Sequence, residues 1–234
     1  MDVILSRPNS IRWSYSKIAH FLQRINNYLQ EFILWLEPRN IHVNERILET
    51  PFVLQRLPKT GRILDVGSAS SLLALQLATI GYQVTAVDIR PYPFTHDKLT
   101  YFQEDVSRLT LEKRSQDCAI VISTIEHVGL GNYGDSQELS DREFLNIVAG
   151  YVKAKGDIFL TMPFGKSYQG SWYRVYDSEE LYKLIEGYTL VELKFARRLS
   201  PFEWQMCDEK DLEFISSENH PMNGVALVFI SAPD

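Results

Sequence analysis

The sequence has few cysteines and no long apolar run. Only two of its 234 residues are cysteines, Cys118 in a predicted core strand and Cys207 in a predicted late loop, so we expect no disulfide framework. No apolar stretch approaches the length of a bilayer-spanning helix, and the first residues lack the charged-then-apolar pattern of a signal segment. These absences predict a cytoplasmic protein without a membrane partner.

Positive charge is also in short supply. The chain has 24 Lys and Arg residues against 30 Asp and Glu, a net charge of −6, which argues against a large nucleic-acid-binding face. It has no linker rich in Pro, Gly or Ser, no internal repeat and no low-complexity tract. With 45% hydrophobic and 23% charged residues, it can bury one α/β core. Composition leaves the oligomeric state open.

A strand–helix–strand pattern occupies residues 62–88. A short apolar strand is followed by a turn of small residues at 67–71, by a helix with regularly spaced apolar residues, and by a second strand that ends at Asp88. An acid at that point can accept hydrogen bonds from both hydroxyls of a ribose, while the turn lets a ligand approach the backbone at the helix N-terminus. The pattern predicts a cofactor that contains a nucleoside.

The turn distinguishes between two classes of cofactor. A dinucleotide site requires the spacing G-x-G-x-x-G, whereas here Gly67, Ala69 and Ser71 are spaced two apart. Asp65 precedes the first of them by two residues. This arrangement resembles the first motif of class I S-adenosylmethionine-dependent methyltransferases, with two glycines replaced. The resemblance implies that Asp65 holds the cofactor's ammonium group, and that the backbone from Gly67 through Ser68 to Ala69 lies against its methionine part.

Further motifs follow in the order of that family. The resemblance implies that Asp105, just after a third strand at 99–103, accepts a hydrogen bond from the adenine amino group, and that Ile89 and Val106 sandwich the ring. The unbroken apolar run at 117–123 predicts a strand buried on both faces, and Ser123 at its end is assigned to the cofactor site.

The resemblance implies a Rossmann-like α/β fold, a doubly wound, seven-stranded, mostly parallel sheet with an antiparallel last strand and an N-terminal helical extension. Residues 61–234 are predicted to form the methyltransferase core. Residues 1–60 are predicted to form a helical cap, which either covers the site as a lid or covers the sheet edge. The stretch 200–223 is long for a structureless connection, so we expect a surface flap there.

Chemistry is expected at the carboxyl ends of the strands, where open α/β sheets bind ligands. After the fourth strand comes STIEHVGLGNYGD (residues 123–135), in which three glycines follow a Glu–His pair. His127 is the candidate general base because an imidazole titrates near neutral pH, and Glu126 would orient it or cap the loop. The alternative for His127 is a hydrogen-bonded structural histidine. The run resembles a subgroup of methyltransferases from bacterial glycan or secondary-metabolite pathways.

The same loop raises the question of a metal. Some methyltransferases carry E-x-x-E-H here and bind a divalent cation, but this chain has Ser123 in place of the first glutamate. Two ligands from one short loop make a poor site. Completing it would require a residue such as Glu49 or His220, which no pattern places there, so we expect no metal.

The aromatic segment at 164–176 follows the fifth strand and is predicted to rim the site. Together with Tyr133 in the glycine loop, Trp172 and Tyr173 offer aromatic faces to a sugar or a ring-bearing acceptor, and Arg174 offers a charge to a phosphate or carboxylate. Ordinary packing of a long loop is the alternative. The predicted reaction is in-line methyl transfer from S-adenosylmethionine to an oxygen of a small molecule or glycan.

Two other classes of function remain open. A catalytically silent methyltransferase-like binding module would tolerate the replaced glycines at Ala69 and Ser71. A nicotinamide-dependent oxidoreductase is disfavoured by the spacing of the turn and by Asp65. The three acids Asp65, Asp88 and Asp105 at successive strand ends favour a cofactor-binding enzyme.

Overall fold

The computed structural model describes residues 43–131, 139–216 and 223–234, together with the single position Ile25. Residues Val43–Asp234 belong to one compact unit. Residues 1–42 of the predicted helical cap lie outside the described residues, apart from Ile25, and so do Tyr133 and His220.

A mixed sheet of eight strands forms the centre of this unit. The first five strands run parallel to one another, whereas β10 runs antiparallel to both of its neighbours. The order across the sheet is β3-β2-β1-β4-β5-β10-β8-β9, and a separate two-stranded ribbon pairs β6 with β7. The strands are β1 (Arg62–Val66), β2 (Gln83–Asp88), β3 (Leu99–Gln103), β4 (Gln116–Ile122), β5 (Val152–Pro163), β6 (Tyr168–Gln169), β7 (Arg174–Val175), β8 (Thr189–Ser200), β9 (Glu203–Cys207) and β10 (Gly224–Ser231).

Both faces of the sheet are covered by helices. The helices are α1 (Arg46–Leu54), α2 (Leu73–Thr79), α3 (Asp141–Ala149) and α4 (Ser178–Leu184). Ser140 and Glu143, three residues apart, have the spacing of a capping box. This box is present at the start of α3, where the Ser140 hydroxyl accepts from the Glu143 N–H and the Glu143 carboxylate accepts from the Ser140 N–H. No helix within the described ranges is long and apolar enough to cross a membrane.

The core consists of two apolar clusters that lie on opposite faces of the sheet. Ile63 and Leu64, neighbours in β1, belong to different clusters because successive side chains of a strand point to opposite faces. Phe52 of α1 and Leu77 of α2 pack on the Ile63 side, and Leu145 of α3 packs on the Leu64 side. This burial on both faces explains why the central strands are unbroken apolar runs.

The predicted α/β class, the mostly parallel sheet and the antiparallel last strand are confirmed, but the sheet has eight strands rather than seven. The additional strand, β9, forms within the stretch predicted as a flap. It pairs with β8, so Cys207 lies opposite Phe195 in a strand and the prediction of a loop position is wrong. Pairing gives the backbone of this long connection its hydrogen bonds, and the Trp204 indole anchors the strand by donating to the Val43 carbonyl at 3.0 Å.

Candidate active site

A cavity of about 360 Å³ opens at the carboxyl ends of the parallel strands. Its lining includes the residue that directly follows each of β1, β2, β3 and β4, and the last residue of β5. In that order they are Gly67, Ile89, Glu104, Ser123 and Pro163. The cavity therefore lies at the sheet edge where the sequence predicted the chemistry.

The turn after β1 brings backbone and buried polar atoms close to the cavity. Gly67 lines the cavity with a φ of 81°, and a Cβ on it would overlap the Thr124 hydroxyl, so a larger residue is excluded both by conformation and by space. Asp65 Oδ2 and Ser68 Oγ are buried without a hydrogen-bond partner among the described residues. Ala69 completes the turn and, like Asp65 and Ser68, is not among the described lining residues.

Burial raises the pKa of Asp65 to about 7, repulsion from Asp88 adds to this rise, and the nearby Arg46 opposes it. Buried polar atoms almost always have partners in folded proteins. A glycine turn that leaves two such atoms, Asp65 Oδ2 and Ser68 Oγ, without a described partner therefore fits a polar ligand such as the amino-acid end of S-adenosylmethionine.

Asp88 lies at the end of β2, lines the cavity and is almost fully buried. Its carboxylate accepts four hydrogen bonds. The backbone N–H groups of Ala69 and Arg90 donate at 2.9 Å each, and the Arg90 guanidinium donates through Nε at 3.1 Å and through Nη2 at 3.0 Å. Sequence reasoning missed Arg90, for which the only signal was a basic residue two positions after the acid.

The predicted adenine-binding residues Ile89, Asp105 and Val106 all line the cavity. The Asp105 carboxylate accepts a hydrogen bond from the Ser107 N–H at 2.8 Å and so caps the short 3₁₀ turn Val106–Arg108. This cap fixes the carboxyl group at the mouth of β3. Its predicted contact with adenine remains a prediction.

A buried carboxylate ties α1 to the ends of β4 and β5. Glu49 is fully buried and accepts hydrogen bonds from Ser123 Oγ at 2.8 Å and Thr161 Oγ1 at 2.6 Å. Arg46 Nη1 donates to its other oxygen at 3.1 Å. Burial raises the pKa of Glu49, while Arg46 and the two hydroxyls oppose that rise. Ser123 itself has a φ of 41°, an uncommon conformation that such contacts hold in place.

Arg46 thereby lies at the cavity wall. Burial raises the pKa of Glu49, Asp65 and Glu126, and the positive charge of Arg46 opposes the rise in each case. Among the described residues, no group of three or more His, Cys, Asp and Glu side chains converges as a metal site.

His127 lies in the 3₁₀ turn Ile125–His127 and lines the cavity. Its Nδ1 atom is 2.6 Å from the Trp172 carbonyl oxygen. Because a carbonyl only accepts, Nδ1 carries the proton in the neutral ring, which leaves the lone pair on Nε2. The structural and catalytic interpretations of His127 are therefore compatible. Nδ1 is bonded to the backbone, and the lone pair on Nε2 can accept a proton.

Glu126 lines the cavity beside this imidazole but is itself buried. Its Oε1 lies 3.9 Å from His127 Nε2, beyond hydrogen-bonding distance, and its Oε2 has no partner among the described residues. Burial raises the pKa of Glu126 to about 8. The raised pKa favours the neutral carboxylic acid at pH 7.

This raised pKa predicts a pH-dependent stability. Folded Glu126 keeps its proton up to about pH 8, whereas the unfolded chain loses it near the ordinary value of 4.5. Folding therefore binds a proton between these limits, so the contribution of Glu126 to stability falls as pH rises through this window. We expect Glu126→Gln, which is neutral throughout, to exceed the wild type by about 1–3 kcal/mol near pH 8, and by less near pH 5.

Urea denaturation of both proteins at the two pH values measures the difference. Glu179→Gln, a change of an exposed acid, is the control and should follow the wild type at both. Parallel pH profiles for Glu126→Gln and the wild type would show that Glu126 ionises normally in the folded protein.

The predicted acceptor residues divide into two groups. Trp172 and Tyr173 line the cavity, at the tip of the ribbon between β6 and β7, where the Gly170 N–H donates to the Tyr173 carbonyl at 3.0 Å. The Trp172 ring meets His127 edge-on, with centroids 6.0 Å apart. Arg174 instead donates from Nη1 to the Val128 carbonyl at 2.7 Å and is not among the described lining residues. In this structure the Arg174 guanidinium is therefore hydrogen-bonded to the backbone that leads into the glycine loop.

Comparison with protein families gives one domain match. Residues 64–159 match the model described as a methyltransferase domain. The matched segment runs from β1 to β5 and contains the strand ends that line the cavity.

An individual relative matches about half of this chain. The ubiquinone biosynthesis O-methyltransferase of Rickettsia akari (strain Hartford) is 30% identical over 126 residues, which are 50% of this chain and 45% of that protein. The chain thus matches slightly less than half the length of this relative.

Solved structures share the fold at low identity. The 1,6-didemethyltoxoflavin-N1-methyltransferase of Burkholderia thailandensis, solved with S-adenosylhomocysteine, has a TM-score of 0.55 at 16% identity and covers 100% of this chain and 94% of its own. The [4+2]-cyclase SpnF has a TM-score of 0.60 at 13% identity, covering 83% of this chain and 84% of its own. At these identities the likeness establishes the fold alone.

Proposed function

We propose that this chain transfers a methyl group from S-adenosylmethionine to an oxygen of a small molecule or glycan. Residues 64–159 match a methyltransferase domain model, and a methyltransferase solved with S-adenosylhomocysteine shares the fold. One observation carries this proposal. A single cavity is lined both by the predicted cofactor residues Gly67, Asp88 and Asp105 and by the candidate base His127 with the aromatic wall of Trp172.

One half of the cavity suits the cofactor. When bound, S-adenosylmethionine supplies an electrophilic methyl group on a sulfonium. In our proposal, Asp88 accepts hydrogen bonds from its ribose hydroxyls and Asp105 accepts from its adenine amino group. Arg46, which lines the cavity and is paired with Glu49, is placed to hold its carboxylate.

The other half suits an acceptor that must lose a proton. His127 holds its Nδ1 proton against the Trp172 carbonyl, so Nε2 can take the proton of an acceptor hydroxyl as the new carbon–oxygen bond forms. Trp172 and Tyr173 provide aromatic faces against which a sugar or another ring can lie. Glu126, neutral at pH 7, can donate a hydrogen bond to a second oxygen of the acceptor. A tethered reactant and a positioned base are the two main sources of rate in such a transfer.

Oxygen is favoured over nitrogen for two reasons. The relative with the highest identity reported above carries the name of an O-methyltransferase. A hydroxyl acceptor also needs a base, and a histidine whose Nδ1 is bound to a backbone carbonyl can supply Nε2 for that role.

The direct test is a transfer assay that measures S-adenosylhomocysteine released from S-adenosylmethionine with a panel of sugars, phenols and amines. We expect hydroxyl-bearing rings to be the substrates. Release with amines alone would overturn the choice of oxygen.

A binding module without catalysis is the second candidate. It is favoured by the replaced glycines of the turn, Ala69 and Ser71. Tight binding of S-adenosylhomocysteine without turnover on any member of the panel would support this alternative.

A further inference from the structure

The hydrogen bonds at Asp88 fill its carboxylate completely. Each carboxylate oxygen offers about two acceptor positions. Oδ1 accepts from the backbone N–H and from Nε of Arg90, and Oδ2 accepts from the Ala69 N–H and from Arg90 Nη2. In this arrangement no position is left for a ribose hydroxyl.

The four donors fall into two kinds. The two N–H groups belong to the backbone and are fixed by the fold, whereas the two guanidinium donors belong to a side chain. The guanidinium takes one position on Oδ1 and one on Oδ2. A ribose diol that binds both oxygens of a carboxylate needs the same two positions.

We propose that Arg90 sets the cofactor affinity of this protein by competing with the ribose diol for Asp88. The proposal rests on the function proposed above and deepens it. Binding exchanges two N–H donors for two O–H donors on one carboxylate, so Asp88 remains fully hydrogen-bonded before and after the exchange. Arg90 thus influences cofactor affinity through Asp88.

The surroundings allow the guanidinium to leave without moving the backbone. The Tyr101 hydroxyl lies within hydrogen-bonding distance of two backbone carbonyl oxygens, that of Arg90 and, at 3.1 Å, that of Asp88, and shares its one proton between them. This contact holds the backbone of Asp88 and of Arg90 in place. The Arg90 side chain is 38% exposed, against 4% for Asp88, and it lines the cavity. The guanidinium lies on the solvent side of the pair, so it can turn towards water while the buried carboxylate stays in place.

The consequence is an affinity lower than the site would otherwise have. A ligand that binds only the fraction of molecules with the ion pair open has an apparent dissociation constant raised by the inverse of that fraction. Removing the guanidinium should therefore strengthen binding, a result opposite in sign to the usual effect of truncating a residue in a binding site.

The experiment is calorimetric titration of the full chain with S-adenosylhomocysteine. Arg90→Met keeps an unbranched stem but removes both guanidinium donors, and the backbone N–H bond to Asp88 remains. We expect Arg90→Met to bind about three- to tenfold more tightly than the wild type, the range for an ion pair closed in most molecules. Arg108→Ala, a change of an exposed arginine in the neighbouring 3₁₀ turn, is the matched control and should leave the affinity unchanged.

A second ligand separates competition from general loosening. The 2′,3′-dideoxy analogue of S-adenosylhomocysteine has no diol, so it has no need to displace the guanidinium. Wild type and Arg90→Met should bind this analogue equally. An equal gain with both ligands, or an Arg90→Met affinity for S-adenosylhomocysteine that matches or falls below the wild type, would overturn the competition. Absence of binding by every variant would instead overturn the proposed function itself.

Discussion

Replacing His127 with alanine is expected to lower turnover by about 10²- to 10⁴-fold, the usual contribution of a general base. Affinity for S-adenosylhomocysteine should change little, because the predicted cofactor residues lie on the strand ends and His127 lies in the loop after β4. The measurement is steady-state kinetics with the best acceptor of the panel, alongside calorimetry with the cofactor product.

The contact between His127 Nδ1 and the Trp172 carbonyl permits a sharp control. In His127→Asn, the side-chain amide can donate to the same carbonyl, but it has no basic nitrogen. If His127 acts as the base, the Asn and Ala variants should be equally slow. Recovery of turnover in His127→Asn would show that the histidine only positions Trp172.

Replacing Asp88 with alanine is expected to weaken S-adenosylhomocysteine binding by about 10- to 100-fold. The ribose hydroxyls then lose a charged acceptor, and hydrogen bonds to charged groups contribute about 1.5–3 kcal/mol. Loss of the competing ion pair with Arg90 offsets only part of this effect, because the open carboxylate is the group that the ribose needs.

Two further variants serve as comparisons for this result. Asp88→Asn keeps one acceptor oxygen and should lie between alanine and the wild type. Asp97→Ala, a change of an exposed acid outside the described cavity lining, should bind normally. Wild-type affinity in Asp88→Ala, with the fold verified by circular dichroism, would remove Asp88 from the ribose site.

The parts of the site that sequence predicted are those encoded locally. Gly67 and Asp88 belong to one strand–turn–helix–strand unit, where spacing alone places a turn beside an acid. The apolar run of β4 likewise indicates a buried strand, and the spacing of Ser140 and Glu143 indicates the start of α3. In each case the residues that determine the structure are near one another in the chain.

The parts that sequence missed depend on contacts between distant segments. Glu49 meets Ser123 and Thr161 across separations of 74 and 112 residues, and no periodicity reports such a contact. Arg46, in the same helix as Glu49, lies at the cavity wall. β9 was missed for the same reason, since its pairing with β8 and the bond from Trp204 to Val43 are tertiary features.

Arg174 illustrates a different limit. Its position after the fifth strand predicted a residue at the rim, and its neighbours Trp172 and Tyr173 do line the cavity. Its guanidinium, however, donates to the Val128 carbonyl. Sequence placed the segment correctly, but the direction of one side chain depends on which buried carbonyl needs a donor. A role for Arg174 in acceptor binding remains a prediction.

Calorimetric titration of the wild-type chain with S-adenosylmethionine, S-adenosylhomocysteine and NAD tests the central claim most directly. A cavity lined by Gly67, Asp88 and Asp105 should bind both adenosyl ligands, and the turn spacing, which lacks the dinucleotide pattern, should leave NAD unbound. Binding of NAD alone, or of none of the three ligands, would contradict the assignment of this cavity to S-adenosylmethionine.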